Sequence, residues 1–292
     1  MGNILIGEDA ESSAIFELAL TRQAALNETH ERVQAARAQA ASVMGADNTA
    51  TNPLQVEQFV AYCLVQAVDL GRSMCAMTRS EDGTMELPLM AMYPLVRAQV
   101  ESASMALWVM SGPDRRSRVL RRLQAAHDEL IHEKALTNSA LKGRSVSDEQ
   151  RLRRSEALRQ QKHKALIRAV GDANSIERDE YENALPGWEF IVRHASETMG
   201  LEKDELVVIW RLASGFTHPS FRRGASVLEF APTDVEGNVL TGVLSTHTSW
   251  LASVVSFGAH AANRALDFWR DSKIRVNGER PVPVPVVPTF TR

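Results

Sequence analysis

The chain has 292 residues, of which 44% are hydrophobic and 24% charged, with a net charge of −3. These are ordinary values for a soluble globular protein with room for one large domain or two small ones. The first residues hold no basic stretch leading into an apolar one, and no run of about 18 apolar residues occurs, so neither a secretory signal nor a membrane span is expected.

Residues 1–9 read as a loose end. From Ala10 to Met44 the chain is rich in Ala, Glu, Gln, Arg and Leu, all good helix formers, and Ile15, Leu18, Leu20 and Ala24 give a broken apolar stripe. Gly45-Ala-Asp-Asn reads as a stop. Asn52 and Pro53 read as the N-cap and first position of a helix to about Arg79, with Val56, Phe59, Val60, Cys63, Leu64, Ala67 and Leu70 apolar. Cys63 and Cys75 stand twelve residues apart on it, about 18 Å at ~1.5 Å per residue, too far to bridge. Two free thiols point to a reducing, cytoplasmic setting.

Ser80-Glu-Asp-Gly is a turn signal. Leu87 to Met110 is the most apolar segment, with Pro88 and Pro94 predicting a Pro start, a kink or two pieces. From Leu95 on it is apolar nearly all round, as a central core helix is. Arg97 and Glu101 are four apart on it, and charges in such a place need a partner.

Residues 113–170 read as a projecting antiparallel helical hairpin that starts at Pro113, breaks at Gly143 and restarts at Ser145 or Ser147. Residues 113–168 carry 15 Arg or Lys against 7 Asp or Glu, a net of +8 in a chain whose total is −3. Arg115, Arg116, Arg118, Arg121 and Arg122 head this run. Such a run is either a basic arm for nucleic acid or a solvated helical face.

Residues 171–186 read as acidic and irregular. Two amphipathic helices follow, from Pro186-Gly-Trp to about Met199 and from Lys203 to about Gly215. Residues 225–246 read as a short β-hairpin or a loop. Thr246 to Ser272 is a final long helix, and residues 276–292 are an extended Pro-rich tail. The expected architecture is mainly α: seven to nine helices in one helical domain over 1–275, with at most a short β-hairpin.

Polar chemistry concentrates between Ile209 and Gly224, where sixteen residues hold three Arg, two Ser and His218. Ser214 and His218 are four apart, with Arg211 and Arg222 about one turn to either side. A histidine here suits a general base, and an arginine beside it suits a phosphoryl transition state. The alternative is a buried His218, hydrogen-bonded to Ser214 or Glu101, that locks a helix junction. Glu129-x2-His132 has the spacing of a carboxylate-bridged di-iron helix, but no second copy exists, so no metal is expected. No glycine-rich nucleotide loop, nucleophile elbow or Cys-x2-Cys occurs, and no cofactor is expected.

Arg211-x6-His218 resembles the Arg-x4–6-His signature of HEPN-type ribonucleases. The pattern Arg97-x3-Glu101, Leu107-Trp108, an Arg-rich helix and Ser214-x3-His218 resembles that of uncharacterised all-helical bacterial proteins over about residues 90–225. The second resemblance implies that Arg97, Glu101, Ser214 and His218 come together. The first implies a metal-independent endoribonuclease of a defence or toxin system, with Arg211 and His218 catalytic and a homodimeric partner facing them. RNA is the expected partner, met by the 113–168 arginines. The other function class is a non-enzymatic helical scaffold or ligand-binding protein, in which the same residues form a buried network.

Overall fold

The structure, a computed structural model, describes residues 10–78, 87–141, 146–218, 220–236 and 239–275. The expected turn at Ser80, the hairpin break at Gly143, the Ser145 cap, Pro219, the loose start at 1–9 and the Pro-rich tail lie outside these residues. Among them the chain forms eleven helices and one two-stranded antiparallel sheet, a mainly α architecture. The helices are α1 (Ala10–Ala35), α2 (Val43–Thr51), α3 (Val56–Met77), α4 (Met92–Met110), α5 (Arg115–Ala140), α6 (Val146–Ala173), α7 (Arg178–Tyr181), α8 (Trp188–Thr198), α9 (Glu205–Ser214), α10 (Phe221–Val227) and α11 (Thr248–Ile274). The strands β1 (Leu228–Glu236) and β2 (Val239–Thr246) pair as a hairpin with an irregularity between Pro232 and Asp234. The no-membrane expectation meets one observation: no helix among the described residues is long and apolar enough to cross a bilayer.

Three expectations at the start of the chain are corrected. The 10–44 helix is two helices, because Ser42 caps a new one and its hydroxyl accepts from the Gly45 N–H at 3.1 Å. Gly45 therefore sits inside α2, where a Cβ would collide with the Gln39 carbonyl. Asn52 is the C-cap of α2, Pro53 lies in the connection, and α3 begins at Val56. The apolar stripe of α1 is also displaced. Ile15 and Leu18 are exposed; Phe16, Ala19, Gln23, Leu26, His30 and Val33 are buried at alternating steps of three and four. Gln23 and His30 break the hydrophobic signal of that face, so the pattern pointed to its neighbour.

α4 is the central helix, flanked by α3, α11, α8 and α9. Pro94 sits in its first turn, where the missing N–H costs no hydrogen bond. Gln23 of α1 and Gln99 of α4, both fully buried, exchange amide bonds at 2.9 and 2.7 Å, and each also donates to a carbonyl, Gln23 to Val255 and Gln99 to Ala67. Gly71 and Gly258 give this pair its space, since a Cβ at either would strike an amide oxygen. At the far end of α11, the buried Lys273 Nζ donates to the carbonyls of Val33 and Ala36 at 2.8 and 2.7 Å and pairs with Glu57 at 2.9 Å. All three ammonium donors are thereby used, and the open C-terminus of α1 is capped. Because Gln23 meets Val255 and Val33 meets Lys273, α1 and α11 run in the same direction.

α5 and α6 pack against each other. The base of the pair has an apolar core of its own, built from Leu54, Val119, Leu123, Ala126, Leu130, Ile167, Val170, Ile176 and Tyr181. Further out, Leu136 and Leu158 are 70% and 59% exposed.

Candidate functional site

One face of α4 carries Tyr93, Arg97 and Glu101 at steps of four, and each grips the segment that follows α9 or α9 itself. The buried Tyr93 ring stacks on Phe216 with centroids 4.3 Å apart. Arg97 donates through Nε to Glu101 Oε1 at 2.9 Å and through Nη1 to Thr217 Oγ1 at 2.8 Å. Glu101 Oε1 also accepts from the Trp210 indole N–H at 2.8 Å. The Thr217 hydroxyl donates to the Ser214 carbonyl at 2.7 Å. The guanidinium is thus bound to a carboxylate and a hydroxyl, and the pair is only 27% and 19% exposed on its side chains, so water screens it weakly.

This clamp fixes the turn that presents His218, but not through the residues expected. The Ser214 hydroxyl points back to the Trp210 carbonyl at 2.6 Å. His218 is exposed, next in sequence to the anchored Thr217. The buried-histidine expectation is therefore corrected: Phe216 and Thr217 are the residues turned inward. Arg97 reaches the Ser214–His218 segment at Thr217, whereas Glu101 reaches Trp210 on α9. Thr217 was missed because a threonine in a polar turn carries no sequence signal of its own.

Arg211 is exposed and lies in a chain of ion pairs on the surface of α8 and α9. Its Nη2 is 2.5 Å from Glu189 Oε2, whose other oxygen takes Arg193 at 2.7 Å, and Arg193 reaches Asp204 at 2.8 Å. Arg193 and then Arg211 hold the Glu189 carboxyl below its ordinary range by hydrogen bonding. Arg222 is exposed on the first turn of α10. Arg223 Nη1 donates to the Arg211 carbonyl at 3.0 Å and so covers the C-terminus of α9. Gly215 leaves it room, because a Cβ there would overlap the Arg223 side chain.

The five arginines of α5 part company. Arg115 and Arg116 face outward, Arg116 paired with Glu180 at 2.7 Å. Arg118 is buried and grips Asp47 with two bonds of 2.5 and 3.0 Å, and the Gly112 carbonyl with a third of 3.1 Å. Burial pushes the Asp47 carboxyl up against the pull of that guanidinium. Arg122 is 7% exposed, lies 4.5 Å over the Phe59 ring and stands 3.7 Å from Glu129. Arg118 and Arg122 are therefore withdrawn from any phosphate. On α6 the outward arginines mostly neutralise nearby acids: Arg151 with Asp148, Arg153 with Glu149, Arg159 with Glu156.

Arg121 belongs to a second cluster that no sequence pattern announced. At the C-terminus of α4, Ser111 Oγ lies 2.8 Å from His194 Nε2, and Arg121 Nη1 lies 3.3 Å from the same nitrogen while bonding the Trp108 carbonyl. A guanidinium only donates, so Nε2 must be the bare nitrogen of a neutral ring, and the Ser111 hydroxyl donates to it. Burial, then Arg121, holds the His194 pKa below its usual value, which keeps the ring neutral. This arrangement joins the ends of α4, α5 and α8. Residues 111, 121 and 194 are too far apart in the chain to form a readable motif.

Among the described residues, no group of three or more His, Cys, Asp or Glu could hold a metal; Asp128 and His132, one turn apart on α5, stand 3.4 Å from each other. No family model, curated protein or solved structure matches the chain.

Proposed function

We propose that the protein is a HEPN-like, RNA-directed protein that cleaves RNA without a metal ion, acting as a cytoplasmic homodimer in a defence or toxin setting. One observation carries this reading. His218 is exposed on a turn whose two preceding residues are anchored to the central helix, by Phe216 on Tyr93 and Thr217 on Arg97. An anchored turn with an exposed imidazole suits acid–base work, which needs a proton acceptor held in place yet reachable by substrate. In the proposed reaction His218 takes the proton of a ribose 2′-hydroxyl. That oxygen attacks the adjacent phosphorus, and the 5′-oxygen leaves with a proton from water. The guanidinium of Arg211 or Arg222 offsets the charge developing on the phosphoryl oxygens. Arg97 and Glu101 position the turn and touch no substrate. Arg115 and Arg116 extend the RNA contact.

The test is cleavage of single-stranded RNA in the presence of a chelator. The parent protein is expected to cut, and His218→Ala to lose the activity with its unfolding midpoint unchanged. Cleavage by His218→Ala at the parent rate, or no cleavage by the parent, sinks the reading.

A further inference from the structure

The C-terminal end of α4 holds a serine and a histidine in the relation of nucleophile to base. Ser111 caps the helix, and its Oγ lies 2.8 Å from Nε2 of His194 on α8. The other acceptor in reach of this hydroxyl, the Trp108 carbonyl, is 3.4 Å away and already receives Arg121. The hydroxyl proton therefore points at the imidazole, at the distance from which a base takes it. Ser111, Arg121 and His194 are all half-buried, so packing holds them and a reactant can still reach them.

Two features go beyond what joining three helices requires. Arg116 and Arg118 on the same helix pair with Glu180 and Asp47, whereas Arg121 has no carboxylate partner among the described residues. Its guanidinium lies over the Trp108 ring, 5.2 Å from the centroid, and bonds the protein through Nη1 alone. That nitrogen stands 3.4 Å from Ser111 Oγ. A guanidinium that no acid neutralises favours negative charge at this oxygen and beside it. The second feature is the base. Burial, then Arg121 from α5, holds the His194 pKa down against the weaker pull of Glu197 on its own helix, and α4 faces the ring with the Ser111 hydroxyl alone. The imidazole is thus a free base at neutral pH. Phe190, one turn earlier on α8, stacks on the His194 ring at 6.5 Å and is 53% exposed, an apolar face beside the pair.

We propose that Ser111 is the nucleophile of an esterase site, with His194 as its general base and Arg121 facing the oxyanion, and that its substrates are aryl esters. Ser111 Oγ bonds to the ester carbonyl carbon as its proton passes to His194 Nε2. The carbonyl oxygen takes the negative charge and meets the Arg121 guanidinium. The adduct then collapses. Its bond to the aryl oxygen breaks, and that oxygen leaves as a phenol with the proton from His194. Water repeats the sequence on the acyl-serine, which releases the carboxylic acid and restores the hydroxyl. A base weaker than an ordinary histidine activates the serine modestly, so the leaving group must depart readily, which selects aryl over alkyl esters. Phe190 receives the aryl ring. The site shares no residue with the proposed RNA site.

The full-length protein is treated with diisopropyl fluorophosphate, whose fluoride a reactive serine oxygen displaces, and the labelled peptide is identified by mass spectrometry. One label is expected, on Ser111. Its rate should be level above pH 6.5 and fall below it as His194 gains a proton, at pH values where the helical signal is unchanged. With p-nitrophenyl acetate, a burst of about one p-nitrophenolate per chain is expected, leaving Ser111 acetylated. His194→Gln should slow labelling by about 100-fold or more, and Arg121→Met by about tenfold or more. The label on the unaltered protein stays decisive if a variant fails to fold. No label on Ser111, a rate indifferent to pH, or labelling of folded His194→Gln at the parent rate overturns the site.

Discussion

The arginines of α5 and those around the 211–222 turn look alike in sequence and end in opposite places. Arg118 and Arg122 are withdrawn into the protein, on Asp47 and on the Phe59 ring, whereas Arg211 and Arg222 stay at the surface. The helical period decides the difference. On α5 the apolar stripe is Val119, Leu123, Ala126 and Leu130, and Arg118 and Arg122 lie one residue before its first two members, on the same buried edge. Arg115 falls a turn too early to be covered. In the turn, Phe216 and Thr217 take the inward positions, which leaves the charged neighbours outside. A basic run is thus not one surface: its members divide according to the face on which they fall.

The comparison is broken most forcefully at Asp47. Asp47→Ala leaves the Arg118 guanidinium buried without its carboxylate, and a loss of about 3–5 kcal/mol is expected in denaturant unfolding. A loss below 1 kcal/mol would mean that Arg118 escapes to solvent and belongs with the exposed set. The next effect is a dependence on pH. His30, His194 and His260 are all held below the usual histidine value of 6.5, in each case chiefly by burial. The unfolded chain binds more protons than the folded one below that value, so stability is complete above pH 6.5 and falls as the pH drops toward the lowered folded values. Urea midpoints between pH 8 and pH 5 check this, and a flat profile would contradict the burial of these rings.

Arg122→Met sharpens the contrast inside α5 itself. Arg122 lacks the bidentate carboxylate that Arg118 has, and Nε and Nη1 are unpartnered, so an apolar replacement is expected to be neutral or stabilising by about 1 kcal/mol. A clear destabilisation would show that its 3.7 Å contact with Glu129 matters more than its burial costs. The smallest effect is expected at the surface. Arg222→Ala should leave the unfolding midpoint unchanged within about 0.5 kcal/mol while lowering RNA affinity, measured by filter binding at two salt concentrations. Unchanged affinity removes this arginine from the proposed contact.

Much of the helical layout was legible in the residues. α3, α4, α8, α9 and α11 lie close to where periodicity and their flanking Gly and Pro residues placed them, because each buries a regular apolar face. α1 was legible as a helix but not by its buried face, because Gln23 and His30 occupy core positions that a hydrophobic pattern scores as polar. The pairing of Arg97 with Glu101 could be read from their spacing on one helix. Their bonds to Thr217 and Trp210 could not, since those join residues more than a hundred positions apart.

The sequence by itself determined the elements: helical periods, most of the breaks, the two Arg-rich helices and the local i, i+4 pairs, all set by interactions within one or two turns. Only the tertiary structure decided which polar residues are buried. It matched Gln23 to Gln99, Asp47 to Arg118 and Lys273 to the end of α1, turned Thr217 inward and left His218 outside. A polar group can be buried only where another segment brings its hydrogen-bond partner, and that partner is not encoded near it in the chain.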